Sequence, residues 1–187
     1  MEILIITGPP YSGRGTQCAI LETTLGFIHI STGDRIRLEK SENTPFGKIA
    51  KSYEENGNLV PDDIMLGLIS QIIDENLHQK GIILDGYPRT GPQVDTILDL
   101  FTQKQLTVNK VINIEVPKEE LLVRALKRAK ESDRKDDQDP ATHLKRIEIF
   151  ETQTRPAIKY MQEKLEVVNI DGLGSIEEIT KSIKETI

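Results

Sequence analysis

Short apolar runs alternate with amphipathic segments along most of the chain. The runs are continuous and rich in isoleucine and valine, a pattern typical of parallel strands that are covered on both faces. We therefore predict five strands, at residues 2–7, 27–30, 81–84, 110–116 and 166–170.

The segments between these runs have apolar residues at helical spacing. They predict helices at residues 17–25, 32–40, 118–130 and 140–164, one that begins at Pro61, and one that follows Ser175, with Glu178 in the acidic position of a capping box. The expected core face includes Leu126 in the third of these helices and Leu144 in the fourth.

Strand–helix alternation with short links predicts an α/β fold. We expect residues 1–187 to form one domain, a three-layer fold with a five-stranded parallel sheet. Two stretches depart from the alternation. Residues 31–60 have a helical pattern without a strand, which indicates a small insertion, and residues 130–139 are mostly charged, which by composition alone favours a solvated loop.

The first strand leads into a glycine-rich turn and then into a helical segment. The turn reads GPPYSGRGT from Gly8 to Thr16. Glycines let backbone N–H groups turn inward around an anion, and the helix behind them adds the positive end of its dipole. The spacing from Gly8 to Gly13 is that of a phosphate loop, but Arg14 stands where the pattern has lysine. A purely structural turn is the alternative, and the strand and helix context favours phosphate binding.

A second candidate lies at the end of the third strand, where Asp85 is followed by Gly86 and, shortly after, by Arg89. An acidic residue at this end of a parallel strand lies on the ligand side of the sheet. In phosphate-loop proteins such a carboxylate commonly holds Mg²⁺, directly or through water. The alternative is an ordinary Asp-Gly turn, which Arg89 makes less attractive.

Other arginines and one threonine are weaker candidates by themselves. Thr32 fits a helix cap and Arg37 an exposed helical charge. Arg124 and Arg128 are four residues apart, so they share a helix face and could point at one target, although a surface ladder of ion pairs would have the same spacing. The planar guanidinium group is well suited to binding phosphoryl oxygens.

Composition narrows the classes of protein that remain. The 187 residues are 37% hydrophobic and 29% charged, and a net charge of −6 argues against nucleic-acid binding. The single cysteine, Cys18, excludes an intramolecular disulfide and a cysteine-rich zinc site, and we expect it to be buried. No signal sequence or membrane-spanning run is evident, so we expect a cytoplasmic protein without a membrane partner.

Together these segments resemble the adenylate kinase family. Six segments carry the resemblance, in the family's order: residues 8–17 (family GxPGSGKGTQ), 31–37 (STGD and an arginine), 56–62 (NGNLVPD, family GxLVxD), 85–93 (family DGFPRTxxQ), 124–128 (RxxxR) and 134–137 (RKDD, followed by Arg146). The resemblance implies a phosphate-loop core, a nucleoside-monophosphate-binding insertion at residues 31–60 and a short closing lid at residues 130–139. Longer lids of the family, some holding zinc through cysteines, have no counterpart here.

The resemblance further implies reversible phosphoryl transfer from ATP to AMP, which gives two ADP, in a monomer that uses Mg²⁺ and no zinc. Asp85 would place Mg²⁺ through water, and the bond before Pro88 would be cis. The implied ATP-binding residues are Tyr11, Ser12, Gly13, Arg14, Gly15, Thr16, Arg124 and Gly174. The implied AMP-binding residues are Thr32, Arg37, Asn58, Leu59, Val60, Gly86, Tyr87, Pro88, Arg89, Gln93, Arg134 and Arg146. The implied catalytic residues are Arg14, Arg89, Arg124, Arg128, Arg134 and Arg146.

Two threonines and two departures from the family pattern bear on the reaction. The resemblance makes Thr32 and Thr90 residues of the AMP-accepting type, so AMP is the favoured acceptor. UMP/CMP kinase activity is the alternative within this fold. Arg14 and Tyr11 replace a lysine and a glycine, which leaves open a nucleotide-binding sensor with reduced catalysis. The three histidines match no motif and are interpreted as structural or surface residues: His29, His78 and His143.

Overall fold

The computed structural model describes residues 1–54, 60–131 and 139–187. The strands are β1 (Glu2–Thr7), β2 (Ile28–Ser31), β3 (Gly81–Asp85), β4 (Thr107–Glu115) and β5 (Val167–Asp171). The helices are α1 (Arg14–Leu25), α2 (Thr32–Ser41), α3 (Pro45–Glu54), α4 (Asp62–Glu75), α5 (Gly91–Gln103), α6 (Lys118–Glu131), α7 (Pro140–Ile149), α8 (Arg155–Gln162) and α9 (Ile176–Lys184), with a π-helical turn, Phe150–Thr154, between α7 and α8.

The five strands form one sheet in the order β2-β3-β1-β4-β5, and every neighbouring pair is parallel. This confirms the predicted α/β fold with a five-stranded parallel sheet. Asp85 at the end of β3 lies opposite Ile6 of β1 on one side and Ser31 of β2 on the other. The C-terminal ends of these strands therefore meet at one edge, which is where open α/β sheets bind their ligands.

Helices cover both faces of the sheet, and β1 shows how the two cores are built. Ile3 and Ile5 pack in a core that includes residues of α4, α5 and α8. Leu4 and Ile6 pack in a second core, with residues of α1 and α9. A strand buried on both faces has no polar face, which explains why the strands appear in the sequence as continuous apolar runs.

The first and last helices are joined through a buried glutamine. The side chain of Gln17 on α1 accepts a hydrogen bond from Thr180 at 2.8 Å and donates one to the carbonyl of Ile176 at 3.1 Å, both on α9. Because Gln17 is almost fully buried, both of these polar groups need partners inside the protein. The helix that follows the glycine-rich turn is therefore fixed in place by the C-terminal helix.

The predicted helix over residues 140–164 is confirmed as one uninterrupted run of helical backbone from Pro140 to Gln162, but it is not a regular α-helix throughout. The chain forms α7, then the π-helical turn Phe150–Thr154, and then α8. Pro156 lies in the first turn of α8. Proline has no N–H group and its ring clashes with the carbonyl four residues earlier, so a regular α-helix cannot continue through this position. The wider π-helical turn accommodates the change.

The leucines predicted for two core faces are also placed wrongly, because Leu126 is 57% exposed and Leu144 is 54% exposed. In each helix the residue immediately before the leucine is buried instead: Ala125 in α6 and His143 in α7. One residue rotates the helix by about 100°, which is enough to move a side chain from the core to the surface.

Helix α5 is absent from the predicted set. Its N-terminus is capped by Thr90, whose hydroxyl accepts a hydrogen bond from the backbone N–H of Gln93, and its buried face includes Val94, Ile97 and Phe101. The spacing of these three residues is helical, so the signal was present in the sequence.

Helices α2 and α3 follow β2 with no strand between them, as the pattern of this stretch predicted. They pack closely: a Cβ atom on Gly47 of α3 would lie 2.0 Å from the backbone oxygen of Glu39 on α2. Among the described residues, no helix has both the length and the apolar character that crossing a membrane requires.

Candidate functional site

The glycine-rich turn between β1 and α1 has the geometry of an anion-binding loop. Gly8 has φ 142°, and a Cβ atom there would lie 2.4 Å from the carbonyl oxygen of Ile114 on β4, so only glycine fits. No side chain caps α1, because its N-cap residue is Gly13. Within the part of the chain that the structure describes, no capping side chain occupies the first N–H groups of α1, and the helix dipole favours an anion beside them.

Arg14, the first residue of α1, reaches across the loop to the end of β3. Its Nε donates to Oδ1 of Asp85 at 3.1 Å, and its Nη1 donates to the carbonyl oxygen of Gly8. The guanidinium group is mostly shielded from solvent, with a side-chain exposure of 21%. This places a fixed positive charge at the turn where phosphate binding was predicted.

Asp85 is the buried acidic group of the site. Its second oxygen, Oδ2, lies 3.3 Å from Nε2 of His29 on β2. Burial works to raise the pKa of Asp85, but the hydrogen bond with His29 and the charge of Arg14 outweigh it, so the pKa lies below its ordinary value. Asp85 is therefore ionised at neutral pH.

Tyr11 joins the loop to two helices. It has φ 68°, a left-handed conformation that is uncommon for a residue with a side chain. Its hydroxyl oxygen lies 2.5 Å from Nδ1 of His143 and accepts a hydrogen bond from Arg146 at 3.3 Å, both on α7. The guanidinium carbon of Arg128 on α6 lies 5.7 Å from the centre of the tyrosine ring, within cation–π range. Two of the predicted arginines are thereby gathered at the loop.

The two arginines of α6 have different partners. Arg124 donates to Glu120 at 2.8 Å and to the carbonyl oxygen of Gly172 at 2.9 Å, in the segment between β5 and α9. That segment contains Gly174, where a Cβ atom would lie 3.0 Å from the carboxylate of Glu178. Glu178 and Ser175 form the capping box that the sequence predicted for α9. Arg124 thus links α6 to the predicted ATP-side loop.

A second cluster lies on the other side of Asp85. The buried hydroxyl of Thr32 lies 3.1 Å from the backbone oxygen of Asp85 and 3.3 Å from that of Gly86. Nε of Arg89 donates to the same Gly86 oxygen at 2.5 Å. Tyr87 is buried and its bond to Pro88 is cis, as the resemblance implied.

Gln93 is buried beside this cluster, and its side-chain amide is held in one orientation. Its oxygen accepts from the backbone N–H of Arg89 at 2.7 Å, and its nitrogen donates to Oδ1 of Asp62 at 2.6 Å. The other oxygen of Asp62 accepts from the hydroxyl of Thr90 at 3.1 Å. Asp62 therefore orients two residues that the sequence assigned to the AMP side.

The remaining predicted residues are spread around these clusters. Arg37 pairs with Asp34 on α2, one turn from Thr32. Ser12 and Val60 are buried, and Gly15 and Thr16 are exposed in the first turn of α1. Three predicted residues, Asn58, Leu59 and Arg134, lie outside the described residues, as does most of the predicted lid at 130–139.

Three contributors to the site were missed by the sequence reasoning. Asp62 had a usable signal, because it closes the NGNLVPD segment. His29 and His143 had none, since each is a lone histidine within an apolar or amphipathic pattern. Both are structural in the sense that they contact other site residues, Asp85 and Tyr11 respectively.

Comparison with known proteins agrees with this arrangement. A family model described as adenylate kinase matches residues 6–166. Together with the phosphate loop and the parallel sheet, this match places the protein in the class of nucleoside monophosphate kinases. Among curated relatives, adenylate kinases from Parabacteroides distasonis, Bacteroides fragilis (strain ATCC 25285) and Thermosynechococcus vestitus are 40%, 37% and 37% identical, over 98% of this chain and 96%, 97% and 96% of theirs. The chain belongs to the adenylate kinase family.

Proposed function

We propose that the protein transfers the terminal phosphoryl group of ATP reversibly to AMP, giving two ADP. The observation that carries the proposal is the position of Asp85, with the phosphate loop and Arg14 on one side and the cluster of Thr32, Gly86 and Arg89 on the other. Two nucleotides bound on these two sides would meet with their phosphates near one another. Such transfer needs positioning and charge neutralisation and little covalent chemistry from side chains.

On the ATP side, we assign the phosphates to the loop and the first turn of α1. The backbone N–H groups there, with Ser12, Gly13, Gly15 and Thr16, would surround the phosphates, and Arg14 would add charge. Arg124 and Gly174 would contact the rest of ATP, since the hydrogen bond to Gly172 already directs Arg124 to that loop.

On the AMP side, we assign the phosphate to the guanidinium groups of Arg37 and Arg89 and the base to Gln93. The amide of Gln93 retains one N–H and one oxygen lone pair after its contacts with Asp62 and Arg89. One donor and one acceptor side by side match the edge of adenine. Residues 58–60 and 86–88 would enclose the nucleotide, and Arg134 and Arg146 would approach its phosphate when the lid closes.

The residues present fit a hydrated Mg²⁺. Asp85 is ionised and lies at the ligand edge of the sheet, and oxygen ligands are those that Mg²⁺ prefers. Both of its oxygens already accept a hydrogen bond, so it would hold the ion through coordinated water. When bound with ATP, Mg²⁺ neutralises charge on the phosphates.

We further propose the family's three-part organisation for this chain. Residues 31–60, which include α2 and α3, would be the insertion that binds the nucleoside monophosphate, and residues 130–139 would be the lid. Closure would exclude water, which otherwise competes for the phosphoryl group. We expect the enzyme to be a cytoplasmic monomer.

The test is an acceptor panel with ATP and Mg²⁺. ADP formation is measured with AMP, CMP, UMP and GMP, and we expect AMP to be phosphorylated with the highest kcat/KM. A preference for UMP or CMP would instead make the protein a pyrimidine nucleotide kinase. Tight nucleotide binding without turnover of any acceptor would overturn the kinase proposal and indicate a sensor.

A further inference from the structure

Three side chains with metal-binding atoms meet beneath the phosphate loop. They are Cys18 on α1, His29 on β2 and Asp85 at the end of β3, and one ligand atom of each lies within 4.8 Å of the others. Cys18 and His29 have no part in the reaction proposed above. The three residues are far apart in sequence, so the fold itself brings sulfur, nitrogen and oxygen ligands together.

The spacing of two of these atoms already suits a tetrahedral ion. Nε2 of His29 lies 3.3 Å from Oδ2 of Asp85. Two ligands at about 2.0–2.1 Å from a tetrahedral zinc ion are about 3.3 Å apart, and a thiolate would lie about 3.6 Å from each of them. The three ligand atoms lie within 4.8 Å of one another, so the sulfur of Cys18 needs to approach the other two by at most about 1.2 Å.

We propose that Cys18, His29 and Asp85 form a binding site for a thiophilic divalent transition ion such as Zn²⁺. Mixed sulfur, nitrogen and oxygen ligands are those that zinc takes in proteins. Mg²⁺ requires oxygen ligands, so the ion that accompanies ATP would not compete for the thiol and the imidazole.

The protons and charges of the binding step balance. Burial raises the pKa of Cys18, and the charge of Asp85 adds to this, so the free thiol is neutral. Binding forms a metal–sulfur bond and releases the thiol proton to solvent. The hydrogen bond between Nε2 of His29 and Oδ2 of Asp85 is given up at the same time: the Nε2 proton leaves to solvent, Nδ1 takes one up, and the neutral imidazole binds the ion through Nε2. Thiolate and carboxylate together neutralise the dication, and Arg14 remains on Oδ1, the other oxygen of Asp85.

Three protein ligands leave the fourth position of a tetrahedral ion to water, as in zinc sites that keep an open position. Cys18 is fully buried, whereas the side chains of His29 and Asp85 retain 15% and 10% exposure. The fourth ligand would therefore come from the side of His29 and Asp85, where solvent reaches the cluster.

Cobalt binding tests the site directly. Co²⁺ is titrated into the full-length, metal-free protein while absorbance is recorded, because a cobalt–thiolate bond gives an intense near-ultraviolet band. The chain has one cysteine, so any such band reports on Cys18. We expect saturation at one equivalent, displacement by Zn²⁺, and loss of the band in Cys18→Ser.

A matched pair of histidine variants tests the second ligand. His29→Asn should weaken Co²⁺ binding by about 10-fold or more. His78→Asn, which changes an exposed histidine that lies outside the cluster, should bind as the parent does. Circular dichroism and thermal unfolding of each variant show whether the fold is retained.

Several outcomes would overturn the proposal. These are the absence of a thiolate band in the parent, a band that survives in Cys18→Ser, or equal affinities in folded His29→Asn and His78→Asn. None of these readouts depends on phosphoryl transfer. If the proposed kinase function also holds, Zn²⁺ at this site would restrain Asp85 and inhibit ADP formation, reversibly on addition of a chelator.

Discussion

Arg14 occupies the position at which the chain departs most clearly from its family's phosphate loop. Its guanidinium group is held by Asp85 and by the carbonyl of Gly8. Both contacts are made by the loop and the strand beside it, so they fix where the charge lies. A lysine has a shorter reach and a compact charge with three freely rotating donors.

The first prediction is that Arg14→Lys increases the rate of ADP formation. A guanidinium fixed by two contacts positions the phosphates less well than an ammonium group, and a misplacement of about 1 Å can cost up to about 10²-fold in rate. The measurement is steady-state kcat with ATP and AMP. Arg155→Lys is the matched control, because Arg155 pairs with Glu151 away from the loop and should leave kcat unchanged. An unchanged or lower rate in Arg14→Lys would refute the idea.

The second prediction concerns pH and Asp85. The pKa of Asp85 is lowered in the folded protein, so its ionised form contributes stability in full above about pH 4, and this contribution is lost as the pH falls through the folded pKa. Asp85→Asn should lower the free energy of unfolding at pH 7 by about 2–4 kcal/mol, because it leaves Arg14 without its buried partner.

The urea unfolding of parent and variant, followed from pH 7 downward, measures this effect. The difference between them should narrow as the pH falls, since the parent then loses the same charge. Asp74→Asn is the control, because Asp74 pairs with Lys104 at the surface and should change stability by less than about 1 kcal/mol. If the difference in unfolding free energy between parent and Asp85→Asn stayed constant with pH, the lowered pKa of Asp85 would be contradicted.

Among the elements, α7 is held to the phosphate loop through one side chain. The hydroxyl of Tyr11 contacts both His143 and Arg146 on this helix. His143 is buried, and within the described part of the chain its Nε2 has no hydrogen-bond partner, so the contact from Tyr11 is important to it. The arginine that would bridge the phosphates is thus placed by the same tyrosine that shapes the loop.

We therefore expect Tyr11→Phe to destabilise the fold by about 1–3 kcal/mol, because it removes the partner of a buried imidazole nitrogen. Tyr160→Phe is the matched control: its hydroxyl bonds the half-exposed Asp95 at 2.9 Å, where water can replace it, so the loss should be smaller. Both are measured by chemical unfolding. Equal losses of unfolding free energy in the two variants would show that the Tyr11–His143 contact stabilises the fold no more than an exposed hydrogen bond does.

Two glycines offer an opposed pair of predictions for the helices. Gly47→Ala should destabilise the protein by about 1–3 kcal/mol, because the new methyl group would overlap the backbone of α2 at Glu39. Gly67→Ala lies in the exposed interior of α4 with no atom near the new Cβ, and should stabilise it by about 1 kcal/mol. Thermal unfolding of the two variants should therefore shift in opposite directions, and a shift in the same direction would contradict the close packing of α2 on α3.

At the scale of the whole molecule, the centre of the sheet could be predicted because β1 and β3 are buried on both faces. Each of these strands is a continuous apolar run, and that signal is local in the sequence. The same holds for the phosphate loop and Asp85, which follow directly after the ends of β1 and β3. Their positions immediately after two parallel strands were enough to predict that the loop and Asp85 lie at the same edge of the sheet.

The side-chain contacts that sequence reasoning missed join residues that are far apart in the sequence. Tyr11 and His143 are 132 residues apart, and His29 and Asp85 are 56 apart. No spacing rule connects such pairs, because they meet only when α1, α7 and the strands have packed. Pro156, in contrast, was visible, and a departure from regular α-helix within residues 140–164 could have been predicted from it.

The order of the strands has a consequence for the synthesis of the protein. β1 is made before every other strand, yet it pairs with β3 and β4, so its neighbours are complete only after residue 115 has left the ribosome. Until β3 is made β1 has no neighbouring strand, and one of its two edges then stays open until β4 is made, a state that favours aggregation in incomplete chains. The strand that carries the phosphate loop therefore has the longest wait for its place in the fold, and chaperones that shield nascent apolar segments should act first on β1.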